Sequence, residues 1–114
     1  MNAKANTYLR GLMYLLAHVN LKEIPRTLSP RKFIVRERSM VPTFIPGDHV
    51  LTFNWGKFKA GDAIVFAQGD KNYIKRISKV AGDLYYVGGD NPVDSAQLGP
   101  IEKVKILGKV ILKY

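Results

Sequence analysis

Cysteine is absent from the 114 residues, which excludes disulfides, thiolate metal ligands and a cysteine nucleophile together. Histidine is nearly absent: His18 and His49 are the only imidazoles. One in the first fifth of the chain and one where a turn meets a strand make neither a metal site nor a Ser-His-Asp triad. No metal and no cofactor is expected, and a hydrolase built on this sequence needs a base other than histidine. Acidic residues are scarce, 9 Asp plus Glu against 18 Lys plus Arg, for a formal net charge of +9. No apolar run reaches the roughly 20 residues that cross a bilayer, and no apolar stretch ends in a small-residue cleavage site. Repeats and low-complexity runs are missing as well.

What is present fits one domain, with 46% hydrophobic and 11% aromatic residues. Tyr8, Leu9, Leu12, Met13, Leu15, Leu16 and Val19 recur at three- and four-residue steps, so residues 1–24 are expected to form an amphipathic helix. Such a stripe packs on a domain or a partner in most proteins. With Lys4, Arg10, Lys22, Arg26, Arg31 and Lys32 around it, it also suits an interfacial anchor on an anionic membrane. The expected location is therefore peripheral at a membrane if this helix inserts, and the cytoplasm if it packs. Pro25 and Pro30, with Thr27 and Ser29, mark residues 25–31 as a linker.

Residues 32–114 differ in kind. Gly-Asp occurs at Gly47-Asp48, Gly61-Asp62, Gly69-Asp70, Gly82-Asp83 and Gly89-Asp90. Glycine supplies positive φ and aspartate bonds the local backbone, so all five pairs read as turns. Between them lie Phe33–Arg38, Val50–Phe53, Ala63–Ala67, Asn72–Val80, Leu84–Val87 and Lys105–Tyr114, rich in Val, Ile, Phe and Tyr. The fold class is mainly β: a small, mostly antiparallel folded sheet or barrel with the helix as an appendage.

Two stretches carry more than strands and turns require. In Ser39-Met40-Val41-Pro42-Thr43-Phe44-Ile45-Pro46-Gly47-Asp48, a serine stands where a basic strand ends and a proline-stiffened loop begins. In Tyr73-Ile74-Lys75-Arg76-Ile77, strand alternation puts Lys75 on one face and Arg76 on the other, so one cation turns toward apolar surroundings. Desolvation disfavours an ammonium ion, and a lysine so placed can supply a neutral amine as general base. Alone, the serine is a turn residue and the lysine a snorkelling side chain.

Together, Ser39-Met40-x-Pro42-Thr43, Gly47-Asp48, Gly61-Asp62-Ala63-Ile64-Val65-Phe66, Tyr73-Ile74-Lys75-Arg76, Gly82-Asp83 and Gly89-Asp90-Asn91 resemble the ordered boxes of the type I signal peptidases. The resemblance runs from Phe33 to about Val110 and includes short members such as the maturation proteases of nickel-type superoxide dismutase. It implies a membrane-linked serine endopeptidase with a Ser/Lys dyad, Ser39 as nucleophile and Lys75 as base. The Ser39 N–H would be an oxyanion donor. The partner it implies is an extended peptide segment of a precursor, a signal peptide or an N-terminal propeptide, cut after small residues. Its substrate-binding set is Phe33, Val35, Met40, Phe44, Tyr73 and Ile74, with Asp90, Asn91 and Ser95 in support.

Two positions depart from the family pattern. Glu37 stands where the family often has a serine donating to the oxyanion, so its carboxylate is expected to point away. The segment after Asn91 is short, and Ser95 matches either the serine that steadies the lysine or the one in Asp-Ser-Arg, with Ala96 in place of the arginine. A related Ser/Lys domain, the self-cleaving repressor type, shares such a core, although Pro42-Thr43 and Gly89-Asp90-Asn91 favour the signal-peptidase type. A reading from another class is a non-catalytic basic β module, with Phe53, Trp55, Lys57, Phe58 and Lys59 as a stacking surface for nucleic acid or a contact with an anionic surface. On the peptidase reading no nucleic-acid partner is expected.

Overall fold

Each apolar stretch between the Gly-Asp turns forms a strand. The computed structural model describes Arg10 and residues 30–114. The helix expected over 1–24 and residues 25–29 of the linker therefore lie outside the described residues, Arg10 apart. Seven strands follow in order: β1 (Arg31–Ile34), β2 (His49–Phe53), β3 (Ala63–Gln68), β4 (Lys71–Ala81), β5 (Leu84–Gly88), β6 (Leu98–Glu102) and β7 (Ile106–Lys113). They make one sheet in the order β1-β2-β7-β3-β4-β5-β6, and every pairing is antiparallel. Among the described residues, no helix is long and apolar enough to cross a membrane.

The six stretches read from sequence all carry strand, with ends shifted by a few residues. The stretch expected over Phe33–Arg38 pairs as regular strand only to Ile34. Beyond it, the Val35 N–H donates to the Asp48 carbonyl at 2.8 Å, and the Gly47 N–H donates to the Val35 carbonyl at 2.8 Å. Strand β6 was hidden by Gly99-Pro100, which reads as a turn. Proline lacks a donor but is tolerated at a sheet edge, and β6 is an edge.

Alternation along the strands builds a core on each face of the sheet. Phe58, Ile64, Phe66, Ile77, Tyr85, Val87, Ile101 and Ile106 pack on one face, with Tyr73 against them. Val35, Met40, Phe44, Val50, Ala63, Val65 and Ile74 pack on the other, with Phe33, Leu107 and Val110. Each fully buried side chain of this size contributes roughly 1.5 to 3 kcal/mol, so the two small cores share the work of holding the sheet. Phe53 and Phe58 are buried, and of the three aromatics in the expected stacking stretch Trp55 alone is exposed, beside the exposed Lys57 and Lys59. That removes most of the stacking surface from the basic-module reading.

Register shifts at Leu51/Thr52, Val65/Phe66 and Ile77/Lys79 mark irregularities of the bulge kind, which bend a sheet. β1 and the first half of β4, three strands apart in the order, border one cleft. The site lies at its end.

Candidate active site

Ser39 follows the extended segment after β1, in the loop that leads back to β2. It is 1% exposed, and its Oγ has no hydrogen-bond partner among the described residues. A buried hydroxyl without a partner costs about 1 to 3 kcal/mol, and natural proteins seldom retain one without a use. The loop around it is tied down at several points. The Asn91 N–H donates to the Ser39 carbonyl at 2.9 Å, and Asn91 Nδ2 donates to the Arg38 carbonyl at 3.0 Å. The backbone N–H of Ser39 donates to no carbonyl of the described residues.

Lys75 lies in β4, directly opposite Ile64 of β3. It is 6% exposed and forms no ion pair with a carboxylate of the described residues. Alternation sets it on the face of Tyr73 and Ile77, and directly paired residues project to the same face, so Ile64 flanks it too. Of the two adjacent cations it is the lysine that turns inward. Arg76 remains partly exposed and is paired.

The register joins the serine to this lysine. Arg76 pairs with Gly88, and extending that pairing by one residue sets Lys75 opposite Gly89. A Cβ built on Gly89 would lie 2.4 Å from the Ser39 carbonyl oxygen and 2.4 Å from that of Asp94. Opposite residues share a face, so Ser39 lies on the side of the sheet toward which Lys75 projects. Gly47, Gly61, Gly69 and Gly82 adopt the positive φ expected of their turns, whereas Gly89 does not. Gly89 is glycine because the Ser39 backbone occupies the space of a side chain. Gly89→Ala should therefore displace the serine loop, at a cost of about 1 to 3 kcal/mol. A lower melting temperature together with lost peptide cleavage checks this.

Asp90 also departs from the turn reading. Its carboxylate accepts from Arg76 Nε at 2.8 Å, from Arg76 Nη2 at 2.7 Å and from Thr43 Oγ1 at 2.7 Å. Arg76 Nη1 donates to the Gly61 carbonyl at 2.7 Å. This bidentate pair holds the serine loop, the Gly89-Asp90-Asn91 loop and β4 in one frame. Sequence reading missed it, although an arginine beside the lysine and a Gly-Asp-Asn box were both visible. Hydrogen bonds from Arg76 hold the Asp90 carboxyl below the usual carboxylate range, against the opposing effect of partial burial, and the Thr43 hydroxyl adds to the lowering. The hydrogen bond to Asp90 likewise raises Arg76.

A carboxylate lowered in the folded state contributes stability that is fully present above its unfolded value of about 3.9, and that is lost as the pH falls through the folded value. The stability gap between the native chain and Asp90→Asn should thus be constant near neutrality and narrow only below about pH 4. Urea titrations from pH 7 to pH 2.5 measure it.

Residues 31–111 match the family described as Peptidase S24-like. The chain belongs to that family. It takes in repressor-type and signal-peptidase-like serine peptidases, in line with the resemblance carried by the ordered boxes. The sheet of this Peptidase S24-like chain is accordingly a serine-peptidase fold. No curated protein matches the chain.

The other expected site residues divide by position. Phe33, Val35, Tyr73 and Ile74 line the cleft, of about 800 Å³, with Val50 and Val65 in its floor. Met40 and Phe44 do not line it. At 0% and 7% exposure they belong to the core on the same face, and they hold the serine loop down. Glu37 is exposed, as expected of a carboxylate beside a developing oxyanion. Ser95 is exposed within a loop whose residues 92–97 are all exposed, and no hydrogen bond joins it to Lys75 among the described residues. Asn91 lies against the serine loop.

Proposed function

We propose that this chain is a serine endopeptidase using a Ser39/Lys75 dyad, which cuts a signal peptide or N-terminal propeptide after a small residue. The observation that carries the reading is the pairing of two costly features in one corner of the fold. Among the described residues, a buried hydroxyl lacks a partner and a buried lysine lacks a carboxylate, on the same side of the sheet. As structural elements both are expensive, whereas as nucleophile and base each accounts for the other.

The chemistry follows from that placement. Ser39 Oγ attacks the scissile carbonyl carbon while Lys75 Nζ, acting as general base, takes its proton. The oxyanion so formed accepts from the free Ser39 N–H. The Lys75 ammonium then protonates the departing amine, leaving an acyl ester on Ser39. A water deprotonated by Lys75 hydrolyses the ester and restores both groups.

The cleft supports an extended substrate. Among the described residues, β1 pairs on one side only, with β2, and the first half of β4 pairs only with β3, because β5 joins β4 from Arg76 onward. Two free strand edges therefore border the cleft, and a peptide strand laid between them can bond to both. Its alternate side chains would meet the apolar floor of Phe33, Val35, Val50, Val65 and Ile74, which suits small residues two apart. The net charge of +9 suits a precursor presented at an anionic membrane face.

Incubation of the purified chain with a peptide containing Ala-x-Ala, followed by mass spectrometry, tests the reading. Cleavage on the carboxyl side of the second alanine is the expected result. An intact peptide, or cleavage that survives Ser39→Ala, contradicts it.

A further inference from the structure

The two edges that border the cleft have a second face, and its charge is uneven. Strand alternation directs Phe33 and Val35 into the core of the cleft floor, so Lys32, Ile34 and Arg36 project to the opposite side. On β4, Ile74 points to the same floor, which leaves Lys71 and Tyr73 opposite it with the first set. All five of these residues line the cleft, and Lys32, Arg36 and Lys71 are exposed. Glu37, the one acidic side chain among the cleft residues, is exposed.

We infer that the cleft selects substrates whose residues between the small ones are acidic, at the second and fourth positions before the cut. This rests on the peptidase reading and names the substrate class for it. An extended peptide between the edges alternates its side chains just as the edges do. If the first and third residues before the cut enter the apolar floor, the second and fourth project between β1 and β4 on the outer face. There the second meets Arg36 near the serine end, and the fourth, two residues further along, lies opposite Ile34 and diagonal to Lys32, with Lys71 on the other edge. Carboxylates satisfy these three cations, lysine or arginine at the same positions is repelled, and an uncharged residue is neutral toward them. The preferred precursor segment is therefore acidic and polar at every second residue, unlike a continuous apolar run.

Three peptides that differ only at these two positions, carrying Glu, Gln or Lys, separate this inference from the reading beneath it. The inference predicts kcat/KM in the order Glu, Gln, Lys, with steps of about two- to fivefold for each charge in low salt, shrinking in roughly 1 M salt. In a second set of three peptides varied at the fourth position alone, Lys32→Glu combined with Lys71→Glu should reverse the order. Equal cleavage of all three peptides, or an order that the double variant does not alter, overturns the inference and leaves the peptidase reading intact. Failure to cut even the Gln peptide removes the peptidase reading and the inference together. Labelled peptides bound to the Ser39→Ala chain give the same order by fluorescence anisotropy, which separates recognition from chemistry.

Discussion

Ser39→Ala should abolish peptide cleavage and raise the melting temperature of the same protein. The two effects have one origin. The Ser39 hydroxyl is buried without a hydrogen-bond partner among the described residues. Folding therefore strips it of water with no return, and removing it relieves about 1 kcal/mol of that cost. For a domain of this size the gain corresponds to an increase of roughly 4 to 8 °C in Tm. The rate should meanwhile fall by about 10⁴-fold or more, as expected when the nucleophile of a covalent mechanism is lost. Calorimetry and a peptide assay on one preparation measure both. A serine that merely caps or braces the loop would give the reverse, a lower Tm with cleavage retained.

Lys75→Met should remove most of the activity without loosening the fold. Lys75 is 6% exposed beside Ile64, Tyr73 and Ile77, and no carboxylate of the described residues pairs with it. Replacing an unpaired buried amine by an apolar side chain of similar length is neutral or stabilising. The loss of rate, about 10² to 10⁴-fold, is that of a missing general base. Lys75→Arg sharpens the distinction. Guanidinium keeps the positive charge but cannot act as a base near neutral pH, so this variant should be equally inactive and also less stable than the native chain. Activity retained by Lys75→Arg would mean that the position supplies only charge.

Strand content was legible in the sequence, and so was the inward turn of Lys75, because both rest on local signals. Glycine followed by aspartate stood beside a strand at all five places and gave the expected positive-φ turn at four, and alternation around Lys75 and Arg76 left one cation for each face. The fifth pair was misread for a physical reason. Gly89 serves a close approach by the Ser39 backbone, and Asp90 serves Arg76 across the sheet; neither contact has any trace within a few residues of sequence. β6 escaped for the opposite reason. Its Gly99-Pro100 has the local signature of a turn, and the sheet tolerates it only because that strand is an edge. Met40 and Phe44 were expected at the substrate, yet whether an apolar side chain lines a cleft or lies beneath it depends on how the sheet bends, which pattern alone does not carry. The free edges of β1 and β4, on which the proposed substrate mode depends, come from pairing over long sequence distances and were equally out of reach.

The central claim is that the amine of Lys75 activates the hydroxyl of Ser39. Its most direct test is the rate at which a serine-directed fluorophosphonate modifies the native chain, followed by intact mass and peptide mapping. The account predicts one adduct, on Ser39, formed quickly in the native chain and at least about 100-fold more slowly in Lys75→Met. An adduct on another residue, or equal rates in the two proteins, would contradict it.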